Sequence, residues 1–401
     1  MIHNCEYLSP TRRVIGSDAL DKIGPKLKED GAHKVLIHYG GGDYLYHGLL
    51  DRVKKSLADS GLEYVDFPGV KPNPRLSKAL EGAEFAKANG VDYILSVGGG
   101  SAVDSAKAIS LGMSYEGDLW DLWKKADTLA PDVVLTPVAG VIVYPATGAE
   151  AGSSSVILNE ETREKFWEWD ERLFPHFCFM DPQYTMTLPR HLLTNGIGDI
   201  MSHFTDNYLT DDAHFGIFDN LLETTMHYLQ AELSHIILDP ERDNLADRTE
   251  LMAVASMGCD DSINWGLNHE KASHQIAHPI GGLYDTTHGS TLSIIYPQWL
   301  KYIYKYNPAR FARWAEKVWD VEPKEDPLET AAEGIERLTE WFKWLGLPVK
   351  FSDAGLHPTD EEIDFMAQRA ATAFCTDYIG ANRKLYKDCL LYTSPSPRDR
   401  G

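Results

Sequence analysis

Residues 91–110, VDYILSVGGGSAVDSAKAIS, contain the pattern that indicates the fold class. Val91–Val97 is an apolar run typical of a buried strand, the three glycines after it form a tight turn, and the remaining residues have a helical pattern. A similar strand that ends in a glycine-containing turn occurs at Lys34–Tyr39 and again at Val138–Tyr144. Strand, turn and helix in repetition are typical of a parallel sheet in an α/β domain.

The pattern changes after Asp181-Pro182, because helical periodicity dominates from Pro189 onward and strand-like runs become scarce. We therefore predict an α/β domain over residues 1–185 and an all-α domain over residues 186–390. Residues 391–401 are rich in Ser, Pro and Arg, which indicates a disordered or foreign tail. The clearest helical patterns are Leu192–Leu209, His214–Leu233, Asp247–Asn264 and Pro327–Trp344.

The composition argues against several classes of protein. The chain has 401 residues, 43% of them hydrophobic, which is enough to form two domains with buried cores. Its formal net charge of −22 disfavours nucleic acid and anionic membranes as partners, because both select clustered basic residues. The five cysteines form neither a CxxC pair nor a disulfide framework, and the first residues carry no secretory signal. We therefore expect a cytoplasmic protein with no nucleic-acid or membrane partner.

The first candidate cofactor site is the turn Gly98-Gly99-Gly100-Ser101, which follows a strand and opens a helix. A phosphate can approach the backbone there, because side chains are absent and amide groups converge on a helix N-terminus. The turn does not match the GxGxxG fingerprint, so a tight turn without a ligand is the alternative. Asp104 and Lys107, one helical turn apart, have the spacing of a solvated ion pair.

A second glycine turn, Gly40-Gly41-Gly42-Asp43, follows the strand at Lys34–Tyr39. The carboxylate of Asp43 can accept hydrogen bonds from a ribose 2′-hydroxyl and would repel a 2′-phosphate, which favours NAD(H) over NADP(H). The alternative role for Asp43 is that of an N-cap for the helix that follows.

The first candidate metal-binding pair is Asp199 and His203. Because they are four residues apart, a helix would place the carboxylate and the imidazole on one face, within reach of a single cation. The alternative is a surface hydrogen bond between the two side chains.

A second group of histidines lies between residues 269 and 289. His274 and His278 share a helix face, and His288 can return from a loop to the same place. Pro279 biases His278 away from helical geometry, so we expect His278 at a helix end. Histidines at this density indicate a metal site.

Taken together, these segments resemble the iron-containing alcohol dehydrogenases, and most closely their butanol-dehydrogenase-like branch. The resemblance covers roughly residues 10–388 in consistent order. Its motifs are GGGSAVDSAK (98–107), PATGAE (145–150), DP (181–182), NGIGDIMSH (195–203) and HQIAHPIGGLYDTTHG (274–289).

The resemblance implies a Rossmann-like N-terminal domain, a helical C-terminal domain and a cleft that holds cofactor and metal. The metal ligands would be Asp199, His203, His274 and His288, with His278 near the metal but not a ligand.

The resemblance also implies cofactor contacts in the N-terminal domain. The turn Gly98–Ser101 would bind the pyrophosphate, and Asp104 would face the nicotinamide and the substrate. Thr147 and Gly148 would contact the cofactor, and Lys165 would match a lysine on the cofactor side. NADP-using members of the branch tend to carry Ser where this chain has Asp43, which again favours NAD(H).

The expected activity is that of an alcohol dehydrogenase or aldehyde reductase for small alcohols and aldehydes. One carboxylate and three imidazoles suit Fe²⁺ or Zn²⁺. The metal would polarise the substrate oxygen while a hydride passes directly between substrate and nicotinamide. We expect His278 to move the proton, with Asp104 as the alternative. Members of this branch are often homodimers, and we expect the same here.

Other functions remain open at the level of sequence. A dehydroquinate synthase-like lyase or a glycerol dehydrogenase would share the fold, but the lyase needs several basic residues for its anionic substrate. Lys271 is the only lysine or arginine in segments 195–210 and 262–289. A metal-dependent hydrolase would leave both glycine turns without a role, and a non-catalytic protein would have no use for the four metal ligands.

Overall fold

A computed structural model describes residues 2–41, 47–210, 212, 214–370 and 378–386. The strands are β1 (Arg12–Ile15), β2 (Lys34–Gly40), β3 (Glu63–Val70), β4 (Tyr93–Gly98), β5 (Val138–Ile142), β6 (Ser154–Asn159), β7 (Glu164–Trp169), β8 (Phe177–Met180), β9 (Tyr378–Ile379) and β10 (Leu385–Tyr386). The helices are α1 (Ile23–Glu29), α2 (Leu49–Asp59), α3 (Leu76–Ala88), α4 (Gly100–Ser114), α5 (Trp120–Trp123), α6 (Arg190–Tyr208), α7 (Ile217–Tyr228), α8 (Ser234–Ile237), α9 (Leu245–Met257), α10 (Ala272–Tyr284), α11 (His288–Ile303), α12 (Pro308–Trp319), α13 (Pro327–Trp344) and α14 (Asp360–Ala370).

The chain forms two compact units. The first, called the sheet unit, comprises Leu8–Leu193 and Ile237–Asp260. The second, called the helical unit, comprises the described residues within 2–7, 194–236 and 261–386. Residues 237–260, which include α9, therefore cluster with the sheet unit although they lie beyond residue 186.

A six-stranded parallel sheet in the order β1-β8-β5-β4-β2-β3 organises the sheet unit. Most residues of the inner strands are apolar, and β5 and β8 are buried at every position, as expected where helices cover both faces of a sheet. β4 is buried at every position, and α4 returns from its end to pack on β4 and β5. This return places the N-terminus of α4 at the carboxyl edge of the sheet, where ligands bind in open α/β sheets.

The sequence did not predict β1, β3 or β8, and each omission has a physical reason. β1 contains two arginines in four residues, and β8 is also only four residues long. β3 lies at the edge of the sheet, carries charged residues and includes Pro68-Gly69. These segments become strands through pairing with their neighbours rather than through a strong local pattern.

The helical unit packs its helices through apolar faces. In α12, the side chains of Phe311, Trp314 and Val318 follow helical spacing and are buried, and α12 packs against α13. Gly334 of α13 permits close contact, because a Cβ there would lie 2.9 Å from the Cα of Ala315.

The predicted helices agree with α6, α7, α9 and α13, with differences at their ends. Pro327–Trp344 is reproduced without change. The predicted His214–Leu233 begins at Ile217, and its last turn, Leu229–Leu233, is wound as a π-helix. α9 begins at Leu245, where Asn244 caps it, and ends at Met257, just before Gly258.

The described part of the chain contains no helix long and apolar enough to cross a membrane. The predicted tail, residues 391–401, lies outside the described residues.

Candidate active site

One face of α6 carries four polar side chains, all buried. Asp199 and His203 are four residues apart, as the sequence predicts, and Asp199 is only 2% exposed. Asn195 lies one turn before Asp199, and Asp206 lies one turn after His203. The i, i+4 and i+7 spacing explains why one helix can supply the whole set.

α10 and α11 bring two further histidines to this face. Ligand atoms of Asp199, His274 and His288 all lie within 4.8 Å of one another. The Nε2 atoms of His203 and His288 are 3.6 and 3.8 Å from Asp199 Oδ1. The rings of His203 and His274 are 4.5 Å apart. These four residues, Asp199, His203, His274 and His288, are called the metal cluster below.

The chemistry of the metal cluster fits a divalent cation. Burial, and then the charge of His274 and of Lys271, hold the pKa of His203 well below its usual range, so its imidazole is neutral. A neutral imidazole is the form that binds metal. Nε2 of His274 is buried and makes no hydrogen bond within the described chain, which is costly unless a ligand contacts it. A carboxylate with three imidazoles suits Fe²⁺ or Zn²⁺.

His278 does not lie at a helix end, so that prediction was wrong. α10 continues through Pro279 to Tyr284, and His278 is buried in its middle. A proline inside a helix removes one backbone hydrogen bond and costs about 3 kcal/mol. The packing of α10 offsets this cost, since ten of its thirteen residues are buried. The ring of His278 is 6.1 Å from that of His288, and His278 is not among the three residues whose ligand atoms converge.

The position of His288 depends on a contact between α6 and α11. The side-chain oxygen of Asn195 accepts hydrogen bonds from Thr287 Oγ1 at 2.8 Å and from Ser290 Oγ at 2.7 Å. Gly289 lies against the backbone of Asn195, and a Cβ there would be 2.9 Å from the Asn195 carbonyl carbon. These contacts fix the start of α11, which carries His288, against Asn195, and Asn195 lies one helical turn before Asp199.

In the sheet unit, the turn Gly98-Gly99-Gly100-Ser101 leads from β4 into α4, as predicted. A Cβ at Gly99 would lie 2.8 Å from Tyr144 Cδ1, and one at Gly100 would overlap Thr147 Oγ1. The glycines therefore allow the loop after β5 to lie against the N-terminus of α4. No described side chain caps this helix, so its first amide groups are available to a phosphate.

Asp104 and Lys107 do not form a solvated ion pair, which corrects the prediction from their spacing. Lys107 is completely buried, and its Nζ donates to the carbonyl oxygens of Ala149, Gly152 and Ser154 at 2.7 to 2.8 Å. Burial lowers the pKa of Lys107 to about 8, and burial raises the pKa of Asp104 to about 6. Lys107 thus holds the loop that follows Thr147 and Gly148.

Gly148 and Lys165 are also fixed by their surroundings. Gly148 has a φ of +67°, which favours glycine, and a Cβ there would lie 2.6 Å from the carbonyl oxygen of Ala255. The Nζ of Lys165 is buried and donates to Asn73 Oδ1 at 2.9 Å. Lys165 belongs to the β6–β7 hairpin, which packs against α4 through β6.

The second glycine turn is only partly described. Gly41 follows β2, and a Cβ there would meet no atom within 4 Å. Gly42 and Asp43 lie outside the described residues.

Three residues with a role at these sites did not emerge from the sequence: Asn195, Lys107 in its buried role, and Asp206. Nδ1 of His274 is 2.6 Å from Asp206 Oδ2. The helical spacing of Asn195 and Asp206 from Asp199 is a signal that would have found both. Nothing in the spacing of Lys107 indicates its burial.

Comparison with known proteins identifies the relatives of the chain. Residues 10–182 match the family model for iron-containing alcohol dehydrogenase, and residues 194–385 match that for the C-terminal part of the Fe-containing alcohol dehydrogenase family. NADH-dependent butanol dehydrogenase A of Clostridium acetobutylicum is 32% identical over 91% of this chain and 92% of its own length. The NADPH-dependent aldehyde reductase of Escherichia coli is 29% identical over 88% of this chain and 90% of its own length.

A solved structure of a similar protein matches the chain over nearly its whole length. The crystal structure of NADH-dependent butanol dehydrogenase A from Thermotoga maritima has a TM-score of 0.90 and 34% identity, and covers 98% of this chain and 99% of that chain.

Proposed function

The chain belongs to the iron-containing alcohol dehydrogenase family, and from this premise we propose which of its residues carry the activity. It is an alcohol dehydrogenase and aldehyde reductase that uses a nicotinamide dinucleotide and acts on small alcohols and aldehydes. We propose that the metal cluster holds the divalent metal of this activity. The observation that carries the proposal is the convergence of ligand atoms from Asp199, His274 and His288, of which Asp199 and His274 are buried and His288 is partly exposed.

The metal, when bound, supplies Lewis-acid chemistry toward a substrate oxygen. Asp199 contributes the negative charge of the site, and imidazoles that bind a metal do so without charge, so the divalent charge would be only partly compensated. Burial of these side chains strengthens their electrostatic interactions, because less water screens them. His278, in the middle of α10 beside His288, is our first candidate for a group that moves the proton, and Asp104 is the second.

We propose that the turn Gly98–Ser101 and the N-terminus of α4 bind the cofactor pyrophosphate. The absence of side chains at Gly99 and Gly100 and the uncapped amide groups support this assignment. The loop of Thr147 and Gly148, which lies against the same turn, would also contact the cofactor. Lys165 would contribute from the β6–β7 hairpin.

We propose that NAD(H) is preferred to NADP(H), with Gly41, Gly42 and Asp43 at the adenosine ribose. The carboxylate of Asp43 supports this choice, since it would repel a 2′-phosphate. Relatives of both kinds exist, as the butanol dehydrogenase is named for NADH and the aldehyde reductase for NADPH. Fe²⁺ and Zn²⁺ both suit the ligands. A cytoplasmic location and a homodimer stay predictions.

A direct test follows the absorbance of NADH and of NADPH in the presence of butyraldehyde. The purified chain is freed of metal and then supplied with Fe²⁺ or Zn²⁺. We expect oxidation that requires metal and is faster with NADH, and Asp199→Asn should abolish it. Faster oxidation of NADPH would contradict the role of Asp43 and leave the proposed activity intact. The absence of oxidation with metal bound, across a series of short aldehydes, would contradict the proposed activity.

A further inference from the structure

A buried carboxylate that is not part of the metal cluster contacts it through His274. Asp206 Oδ2 lies 2.6 Å from Nδ1 of His274, and both side chains are buried. We propose that Asp206 is a positioning residue that sets the tautomer and the ring orientation of His274. The inference rests on the proposed metal site.

The hydrogen bond decides which nitrogen of His274 can bind a metal. An ionised carboxylate only accepts hydrogen bonds, so Nδ1 of His274 must carry the proton in this contact. In the neutral ring, Nε2 then keeps its lone pair, and Nε2 is the buried nitrogen that makes no hydrogen bond in the described chain. Nε2 is therefore the nitrogen of His274 that can bind a metal, and a ring nitrogen of His274 lies within 4.8 Å of ligand atoms of Asp199 and His288.

Asp206 is itself held by hydrogen bonds from two further side chains. The hydroxyl of Tyr296 donates to Oδ1 at 2.5 Å, and the hydroxyl of Ser273 donates to the same oxygen at 2.9 Å. Tyr296 belongs to α11 and Ser273 to α10, so the carboxylate of α6 is bonded from both neighbouring helices. A side chain fixed in this way can hold the ring of His274 without being free to rotate.

Asp206 also places a second carboxylate near the metal cluster. It lies three residues after His203 and seven after Asp199, on the face of α6 that carries both. A second carboxylate near the cation, bonded through an imidazole rather than directly, raises the basicity of that imidazole. Loss of such a group typically lowers metal affinity about 10-fold to 100-fold.

The test compares metal affinity and tautomer in the full chain. Asp206→Asn keeps the size of the side chain and removes its charge, so we expect Co²⁺ affinity, measured by competition with a chelator, to fall about 10-fold to 100-fold. Tyr296→Phe removes one hydrogen bond to Asp206 and should cause a smaller loss. Asp181→Asn is the matched control, because Asp181 is equally buried but belongs to the sheet unit and bonds Arg52. The control should not change Co²⁺ affinity.

The wild-type part of a second measurement does not depend on any Asp206 variant being folded. In metal-free protein with ¹⁵N-labelled histidine, the His274 signal, assigned by its loss in His274→Ala, should show a proton on Nδ1. In Asp206→Asn that preference should weaken or reverse. Wild-type His274 protonated on Nε2 instead, or an Asp206→Asn variant with unchanged Co²⁺ affinity, would overturn the inference. If His274→Ala itself leaves Co²⁺ affinity unchanged, the proposed metal site fails and the inference fails with it.

Discussion

The carbonyl group of Asn195 occupies the space beside Gly289 in which any other residue would place its Cβ, 2.9 Å from the carbonyl carbon. The contact joins α6, which carries Asp199, to the first turn of α11, which begins with His288. A glycine is therefore needed where the helices that carry Asp199 and His288 meet.

Replacement of Gly289 by alanine should separate these helices. We expect Gly289→Ala to lower the free energy of unfolding by about 1–3 kcal/mol, the usual cost of overpacking, and to weaken Co²⁺ binding. Urea unfolding and a chelator competition measure the two effects. Gly216→Ala is the control in the same unit, because its Cβ would meet no atom closer than 3.8 Å at a φ of −129°. Equal effects of the two variants would contradict the account.

Replacement of Lys107 tests its role as a support for the loop after Gly148. Lys107→Met removes the ammonium and leaves three carbonyl oxygens without their donor, so we expect a loss of stability of about 2 kcal/mol or more. The Kd for NADH should rise, while metal affinity stays unchanged. Lys28→Met removes an exposed lysine that also donates to a carbonyl, that of Ser60, and should alter neither quantity. NADH binding that survives Lys107→Met intact would argue against this role.

Asp104 should make the free energy of unfolding depend on pH between about pH 4 and pH 6. Burial raises its pKa from 3.8 to about 6, so the folded state binds the proton more tightly than the unfolded state does. The contribution of this carboxyl is fully present below about pH 4 and is lost as the pH rises to about 6. Asp104→Asn, which cannot titrate, should therefore gain stability relative to wild type across that interval and keep a constant difference above it. Unfolding in urea at several pH values measures this difference.

Asp18 supplies a contrast for the same experiment. The hydrogen bond from Lys22 lowers the pKa of Asp18, so its contribution is present above its ordinary pKa and is lost as the pH falls. Asp18→Asn should thus lose stability relative to wild type as the pH rises towards 3.8, which is the opposite slope in a lower pH interval. The same slope for both variants would mean that the pH dependence of Asp104→Asn does not come from burial.

Most of the strands, helices and helix faces that a local sequence pattern determines could be predicted. The apolar run before Gly98 is β4, the helical pattern at Pro327–Trp344 is α13, and the i, i+4 spacing of Asp199 and His203 places both on one buried face. In each of these cases the hydrophobic period and the local turn residues agree with the tertiary structure.

The failures occurred where contacts distant in sequence decide the outcome. Pro279 predicts a helix end from its own geometry, but the burial of α10 overrides that preference. Lys107 has the spacing of an exposed ion pair, and only the folded loop at Ala149 and Ser154 provides the carbonyl groups that bury it. The pairing of Asp206 with His274, 68 residues apart, likewise cannot be read from either segment.

The most direct test of the account is a Co²⁺ titration of the metal-free protein, followed by visible absorption. Wild type and His278→Ala should each bind about one ion per chain with the intense bands of a low-symmetry, four- or five-coordinate site. Asp199→Asn and His274→Ala should lose these bands and most of the affinity while they remain folded by circular dichroism. Unchanged bands and affinity in both ligand variants would contradict the assignment of the metal cluster.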